Sequence, residues 1–229
     1  MGDRVQFSVE SSVATISMDD GKVNALSPDM QREINEALDR AESEGVGAVV
    51  IAGNSRVFSG GFDLKVLTAG GQPAIDMLAG GFELGARILA FPKPVVMACT
   101  GHAIAMGSFL LLCGDHLIGS PSHRIQANEV SIGMTMPGAA LAILRHRLTP
   151  AAFQRAVNLS AEFKGQSAVD AGYLDELVDA DLIRTRALEV AQGFTTLDAH
   201  AHAKSKLRAR AGVLDAIRTA IEAEFRPSQ

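Results

Sequence analysis

The chain has 229 residues and a formal net charge of −5, and 47% of its residues are hydrophobic while 21% are charged. This length supports one large domain or a core with a small appendage, and the absence of a basic stripe argues against nucleic-acid binding. The longest apolar run, Ile104 to Cys113, is too short to span a bilayer, and residues 1–20 lack a signal-peptide pattern. We therefore expect a cytoplasmic protein without a membrane segment, in which Cys99 and Cys113 are buried free thiols.

Alternating apolar residues at the start of the chain predict a β-hairpin with strands over 5–9 and 13–18. A helix over 28–44 should follow. Its start is marked by Ser27, a favourable N-cap, and by Pro28 at the first helical position.

Two stretches rich in small residues follow predicted buried strands. The apolar run 46–52 predicts a buried parallel strand, and the stretch Arg56 to Lys65 (R-V-F-S-G-G-F-D-L-K) turns after it. A second buried strand over 95–99 precedes the stretch Thr100 to Phe109 (T-G-H-A-I-A-M-G-S-F). Each stretch leads into a helix start, where backbone N–H groups lack partners and partial positive charge collects. Two such helix starts brought together can stabilise one developing oxyanion.

The rest of the chain is mostly helical in pattern. Residues 68–72 (T-A-G-G-Q) are predicted to form a flexible lid or pocket rim, between a helix start over 63–67 and a helix over 74–90. Further helices are predicted over 107–113, 137–145, 150–159, 167–171 and 181–192, and short strands over 115–119, 123–126 and 173–178. Residues 197–225 have helical periodicity and predict one or two C-terminal helices, partly outside the core.

Three segments together resemble the enoyl-CoA hydratase/isomerase family, the crotonase superfamily. They are Asn24-Ala25-Leu26, the stretch Val57 to Lys65, and Pro94-Val95-Val96 leading to Gly101 and Met106-Gly107. The resemblance covers nearly the whole chain, from the first hairpin to the C-terminal helices. It is carried by the order and spacing of the segments together, since each motif alone would be weak. It implies an α/β fold, a crotonase-like spiral of ββα turns over residues 1–193, followed by a C-terminal helical trimerisation region over 194–229. It also implies a homotrimer or a dimer of trimers.

The resemblance further implies an acyl-CoA substrate of fatty-acid metabolism, with no metal and no cofactor beyond the CoA of the substrate. The backbone N–H groups of Phe62 and Met106 would hold the thioester oxygen. The implied CoA-binding residues are Ala25, Phe62, Asp63, Leu64, Lys65, Met106 and Gly107. Arg56 and Lys22 are further candidates for contacts with phosphate. The basic cluster Lys204, Lys206, Arg208 and Arg210 faces either a neighbouring subunit's CoA phosphates or solvent.

Hydratases of this family usually carry two glutamates, and this chain has one of them. Phe109 occupies the first position, whereas Glu129 occupies the second, ahead of Gly133 and Pro137. Family members that shift a double bond from C3 to C2 resemble this arrangement, because one carboxylate can remove a proton at C2 and return it at C4. Hydration ordinarily benefits from a second group that orients and deprotonates the water. The acyl pocket is assigned to Phe82, Phe109 and Ile132, with Met134 nearby, and such apolar surroundings would raise the pKa of Glu129.

Several alternatives stay open at this point. Glu129 could instead cap the loop or pair with Arg124, and Glu83 is a second candidate acid whose simpler interpretation is a solvated helix face. The protein could be a catalytically silent acyl-CoA-binding protein, or a hydratase that uses Glu129 alone with a backbone-held water. The segment around Met106 also resembles the nucleophile segment of the Clp serine proteases, but Ala105 and Asn128 stand where the nucleophile and the histidine would be. Peptide hydrolysis by that route is therefore not expected.

Overall fold

The computed structural model describes residues 4–226, which form two β-sheets surrounded by helices. The first part contains β1 (Val5–Glu10), β2 (Val13–Met18), α1 (Pro28–Ser43), β3 (Ala48–Ala52), β4 (Val57–Ser59), α2 (Leu64–Ala69) and α3 (Gly71–Ala90). The middle part contains β5 (Val95–Ala98), β6 (His102–Ile104), α4 (Met106–Leu111), β7 (His116–Gly119), β8 (Ile125–Gln126) and a 3-10 turn (Val130–Ile132). The last part contains α5 (Gly138–Arg147), α6 (Pro150–Leu159), β9 (Glu162–Phe163), α7 (Gln166–Ala171), β10 (Glu176–Leu177), α8 (Ile183–Phe194) and α9 (Ala199–Phe225).

The two sheets arise from a repeated unit that adds one strand to each. The larger sheet has the order β1-β2-β3-β5-β7-β10, and the smaller one has the order β4-β6-β8-β9. Successive units β3-β4, β5-β6 and β7-β8 lie parallel to one another. Among the strands of residues 4–226, only the β1–β2 and β8–β9 pairs are antiparallel. This arrangement confirms the expected spiral of ββα turns.

The central strands are buried on both faces, which explains their continuous apolar sequences. Along β3, Val49 and Ile51 pack into the main core, whereas Val50 and its alternate neighbours pack against α8 through Ala187 and Ala191. Alternate side chains of a strand point to opposite faces, so both faces need apolar residues here. The predicted strands over 46–52 and 95–99 therefore match the structure closely.

Three predictions of local structure were wrong. Residues 68–72 do not form a flexible lid, because α2 continues to Ala69 and α3 begins at Gly71, with only Gly70 between them at φ 69°. The strand predicted over 173–178 is reduced to Glu176–Leu177. The strand predicted over 123–126 is likewise reduced, to Ile125–Gln126.

The strands β4 and β6 were missed by sequence analysis and were treated as parts of turns. Each has only three residues, too few to show a periodic pattern. They exist because they pair with each other and with β8 in the smaller sheet.

A buried ionic cluster attaches the long helix α9 to the core. Lys206 Nζ lies 2.6 Å from Asp115 Oδ2 and Arg210 Nη2 lies 2.9 Å from Asp115 Oδ1, and the Lys206 side chain is only 3% exposed. Asp115 Oδ2 also accepts a hydrogen bond from the N–H of Val95 at the start of β5. Two members of the predicted basic surface cluster, Lys206 and Arg210, are thus turned inward and do not face solvent or a neighbour.

The Asp115 cluster predicts that removing a buried charge that binds α9 lowers stability more than removing an exposed charge on α9. Asp115→Asn leaves two buried cations without their counter-charge, so the free energy of unfolding should fall by about 3–5 kcal/mol. Asp215→Asn is the matched control, because Asp215 and its partner Arg218 are 69% and 66% exposed, and it should cost less than about 1 kcal/mol. Urea denaturation of both variants measures the difference, and equal losses would contradict the role assigned to Asp115.

Candidate active site

The first turn is fixed by the fully buried side chain of Asn24. Its Nδ2 donates to the carbonyl oxygens of Met18 at 3.0 Å and Phe58 at 3.2 Å, which lie at the end of β2 and in the middle of β4. The Ser59 hydroxyl in turn donates to the Asn24 carbonyl at 2.8 Å. Asn24 itself has φ 50°, a left-handed conformation that Asn tolerates better than most residues. The exit from β4 is therefore held by hydrogen bonds that only a buried amide can make.

The residues after β4 pair with the segment that contains Asn24. The N–H of Gly60 donates to Val23 O at 2.8 Å, and the N–H of Leu26 donates to Gly61 O at 2.8 Å. Just beyond them, Asp63 Oδ1 accepts from the N–H of Lys65 at 2.8 Å and caps α2. Phe62 is thus held between an extended segment and a capped helix.

The second turn contains a strained residue. Ala105, between β6 and α4, has φ 50° and ψ −128°, a conformation that costs a residue with a Cβ on the order of 1–3 kcal/mol. It is kept there because its N–H donates to Gln126 O at 2.9 Å and its carbonyl accepts from the Ser108 hydroxyl at 2.7 Å. Met106 follows as the first residue of α4, so its N–H has no partner within the helix.

The two turns touch, and glycine makes the contact possible. A methyl group on Gly107 would lie 2.2 Å from Ser59 O, and one on Gly61 would lie 3.0 Å from Ala105 Cβ and 3.4 Å from Met106 N. Standard geometry places Phe62 N roughly 3 Å from the methyl position on Gly61. The nitrogens of Phe62 and Met106 are therefore at most about 7 Å apart. Among residues 4–226 neither of these two N–H groups has a hydrogen-bond acceptor.

Glu129 is a buried carboxyl group that has no ion pair with any residue from 4 to 226. It follows β8, is only 5% exposed, and its Oε2 has no hydrogen-bond partner within the described chain. Burial raises the pKa of Glu129 to about 7, and a hydrogen bond from its own backbone opposes this shift. Arg124, the alternative partner considered from the sequence, pairs with Glu162 at 3.7 Å.

Tyr173 is a second buried polar group near Glu129 that sequence analysis missed. Its side chain is fully buried, and its hydroxyl has no partner among the residues described. Burial and the nearby charge of Glu129 together raise the pKa of Tyr173 above its usual range. The only signal in the sequence was that the chain has a single tyrosine, directly after Gly172, and that signal does not indicate which side chains it would meet.

The predicted acyl-pocket residues are only partly brought together. The ring of Phe82 lies 6.0 Å from that of Phe62 and 6.4 Å from that of Phe109, measured between centroids. A fourth ring, Phe225 from the end of α9, stacks on Phe82 at 6.0 Å and was not anticipated. We call these four residues the aromatic cluster. Ile132, by contrast, is 55% exposed and lies outside it.

The predicted CoA-binding residues lie along the two turns. Asp63 is the cap of α2, Ala25 is half-buried, Gly107 is buried at the turn contact, and Leu64 and Lys65 are exposed. A groove of about 480 Å³ beside Gly60 and Ile104 is lined by four basic or ionisable side chains, Lys22, Arg56, His102 and Arg124. Lys65 does not line this groove.

Within residues 4–226, neither Glu83 nor a metal site adds a further catalytic group. The Glu83 carboxylate is 45% exposed and pairs with Arg226 at 2.8 Å, which agrees with a solvated helix face. Within residues 4–226, no three His, Cys, Asp or Glu side chains are grouped so that they could hold a metal ion. No helix in the same part of the chain has both the length and the apolar character needed to cross a membrane.

Comparison with known proteins identifies relatives over nearly the whole chain. The family model for enoyl-CoA hydratase/isomerase matches residues 8–226. A solved enoyl-CoA isomerase of Mycobacterium tuberculosis superposes with a TM-score of 0.95 at 57% identity, covering 98% of this chain and 100% of the other. An enoyl-CoA hydratase from Mycobacterium marinum superposes with a TM-score of 0.94 at 55% identity, covering 97% and 99%. A probable enoyl-CoA hydratase of M. tuberculosis, EchA14, is 32% identical over 194 residues, or 83% of this chain and 75% of that protein.

The raised pKa of Glu129 predicts a pH-dependent cost to stability. The group titrates at about 7 in the folded protein and at 4.5 in the unfolded chain, so the unfolded chain releases this proton first as pH rises. Below pH 4.5 the carboxyl group is protonated in both states, and its burial does not lower the free energy of unfolding. Between pH 4.5 and about 7 only the unfolded chain ionises, so the free energy of unfolding falls progressively. Glu129→Gln does not ionise, so its stability advantage over wild type should grow by roughly 3 kcal/mol between pH 4.5 and 7.5.

Chemical denaturation at pH 4.5, 6 and 7.5 measures this growth. Glu10→Gln, at the exposed end of β1, is the control and should track wild type across the range. A constant difference between Glu129→Gln and wild type would show that the carboxyl group titrates normally.

Proposed function

Because the chain belongs to the enoyl-CoA hydratase/isomerase family, we propose that it isomerises an enoyl-CoA by means of one carboxylate and two backbone donors. In this proposal the N–H groups of Phe62 and Met106 stabilise the thioester oxyanion and Glu129 moves the proton. The observation that carries the proposal is the environment of Glu129, a buried carboxyl group after β8 that has no ion pair in the part of the chain that the structure describes.

The oxyanion role is supported by the contact between the two turns. When a proton leaves C2, negative charge spreads onto the thioester oxygen, and donors already in position lower the barrier. Two donors that each lie about 3 Å from one oxygen are at most about 6 Å apart, which is compatible with the upper bound on the distance between Phe62 N and Met106 N. Backbone donors also tolerate different side chains, so a phenylalanine and a methionine are acceptable at these positions.

The proton transfer balances with Glu129 alone. The ionised carboxylate takes the C2 proton of a 3-enoyl thioester, and the electron pair moves into a dienolate whose charge lies on the thioester oxygen. The same carboxyl group then returns its proton to C4, the double bond forms between C2 and C3, and Glu129 is again ionised. A pKa of about 7 for Glu129 suits both halves of this cycle near neutral pH.

Isomerisation is favoured over hydration because Phe109 occupies the first of the two positions at which hydratases of the family carry a glutamate. That ring is 1% exposed and stacks on Phe82, so it neither exchanges a proton nor orients a water. Hydration with Glu129 alone and silent acyl-CoA binding are the competing functions. The names of the relatives do not separate them, since one solved relative is named an isomerase and another a hydratase.

The groove beside the first turn supplies a place for the CoA phosphates. Lys22, Arg56 and Arg124 line it as exposed cations, and Lys65 stands at the exposed start of α2. Flexible lysines and arginines of this kind meet phosphate groups as charges on a surface. We propose no cofactor beyond the CoA of the substrate, and we propose a homotrimer or a dimer of trimers with residues 194–229 contributing to assembly.

The first test is a direct assay with 3-enoyl-CoA and with crotonyl-CoA. Wild type should isomerise the former, and its kcat/KM should rise with pH and level off above about 7, because the base must be ionised. Glu129→Gln should lower that turnover by roughly 10²–10⁴-fold, the usual contribution of general acid–base catalysis.

The outcomes of this assay separate the three candidate functions. Hydration of crotonyl-CoA that exceeds isomerisation would favour a hydratase, and binding of both thioesters without turnover would favour a silent binding protein. Turnover of 3-enoyl-CoA that is untouched in Glu129→Gln would remove Glu129 from the mechanism.

The second test perturbs the donor pair through Gly61. In Gly61→Ala the new methyl group would press on Ala105 and approach Met106 N to 3.4 Å, which displaces the two donors from each other. We expect kcat with 3-enoyl-CoA to fall by up to roughly 10²–10³-fold, the loss that removal of one oxyanion donor causes.

Gly45→Ala is the matched control for this substitution. Gly45 also has a positive φ, 69°, but a methyl group there meets nothing within 4 Å. It therefore carries the same type of backbone strain far from the turns, and its kcat should equal that of wild type. Equal kcat in Gly61→Ala and wild type, with the fold retained, would count against the proposed donor pair.

A further inference from the structure

We propose that the last turn of α9 closes the inner end of the acyl pocket and that the ring of Phe225 restricts the enzyme to short acyl chains. This inference rests on the proposed function, because it concerns the chain length accepted at that same site. It assigns a specificity-determining role to a residue at the far end of the chain from the two turns.

The aromatic cluster runs from the candidate site to Phe225. Phe62 and Phe109 belong to the segments that carry the two candidate donors, and both approach the ring of Phe82 on α3, at 6.0 and 6.4 Å. Phe225 stacks on Phe82 at 6.0 Å with an interplanar angle of 11°. An acyl chain that starts at the thioester and extends inward along these rings therefore meets Phe82 and then Phe225.

The inner part of this path is filled by the rings themselves. Phe82 is fully buried and Phe109 is 1% exposed, whereas Phe225 is half-buried at the surface of the molecule. The ring of Phe62 also presses against α3, since a methyl group on Gly81 would lie 2.4 Å from its Cε1. Because interiors of this kind are close-packed, a long chain gains room only where the cluster reaches the surface, which is at Phe225.

Two polar contacts hold the last turn of α9 on either side of Phe225. Glu224 Oε1 accepts from the N–H of Gly138, at the start of α5, at 2.9 Å, and Arg226 pairs with Glu83 of α3 at 2.8 Å. Both contacts are exposed to solvent, so each contributes little to stability. These two contacts define the position of the Phe225 ring from both sides. Removing the ring need not unfold α9, because Lys206 and Arg210 anchor the helix to the core.

The test measures kcat/KM for 3-enoyl-CoA substrates of six, eight, ten and twelve acyl carbons. Wild type should lose efficiency as the chain lengthens. Phe225→Ala should raise the ratio of the ten-carbon to the six-carbon value at least tenfold, since each additional buried methylene is worth roughly fourfold. Phe225→Leu keeps an apolar side chain at the end of α9 and should give an intermediate ratio.

Leu214→Ala is the matched control for these variants. Leu214 is also half-buried on α9 and packs on the same core, but it lies outside the aromatic cluster. Its ratio should equal that of wild type, and thermal melting compares the stability of all three variants. An unchanged ratio in both Phe225 variants would overturn the inference.

A binding measurement distinguishes failure of this inference from failure of the proposed function. If wild type turns over none of the substrates, calorimetric binding of saturated acyl-CoA thioesters of six and ten carbons replaces the assay. Phe225→Ala must then strengthen binding of the ten-carbon thioester relative to the six-carbon one by the same factor. Equal relative affinities in wild type and Phe225→Ala would overturn the inference even in a protein without catalysis.

Discussion

The close contact of two turns is the constraint on which the rest of this structure depends. The backbone at Gly107 lies against the carbonyl of Ser59, and Gly61 lies against Ala105. Each approach leaves no room for a side chain, and Ala105 is kept in a conformation that its Cβ disfavours. The hydrogen bonds of Asn24 and the pairing of β4 with β6 offset the free-energy cost of this contact.

The burial of Glu129 likewise lowers the stability of the folded protein while it changes the proton affinity of the carboxyl group. A carboxyl group at this depth would ordinarily be paired with a cation or fully hydrogen-bonded, yet Arg124 pairs elsewhere and Oε2 has no partner among the described residues. Desolvation then brings its pKa close to neutral pH, where a single group both accepts and returns a proton efficiently. Tyr173 adds a buried phenol within electrostatic reach of the same carboxyl group.

Helix α9 links the outer part of the molecule to the site. Its middle is fixed to Asp115 by Lys206 and Arg210, and its end brings Phe225 onto Phe82. Lys206 and Arg210, whose charges the sequence assigned to solvent or to a neighbouring subunit, therefore attach the helix to the core.

The amino-acid sequence by itself determined the features that depend on neighbouring residues. Ser27 and Pro28 marked the start of α1, continuous apolar runs marked β3 and β5, and the two small-residue stretches marked the turns, because capping, burial and turn formation have local signatures. Tertiary structure alone decided the three-residue strands β4 and β6, the inward direction of Lys206, the position of Tyr173 within electrostatic reach of Glu129, and the stacking of Phe225 on Phe82. These contacts join residues far apart in the chain, and a periodic pattern records which face of an element is buried but not which side chain it will meet there.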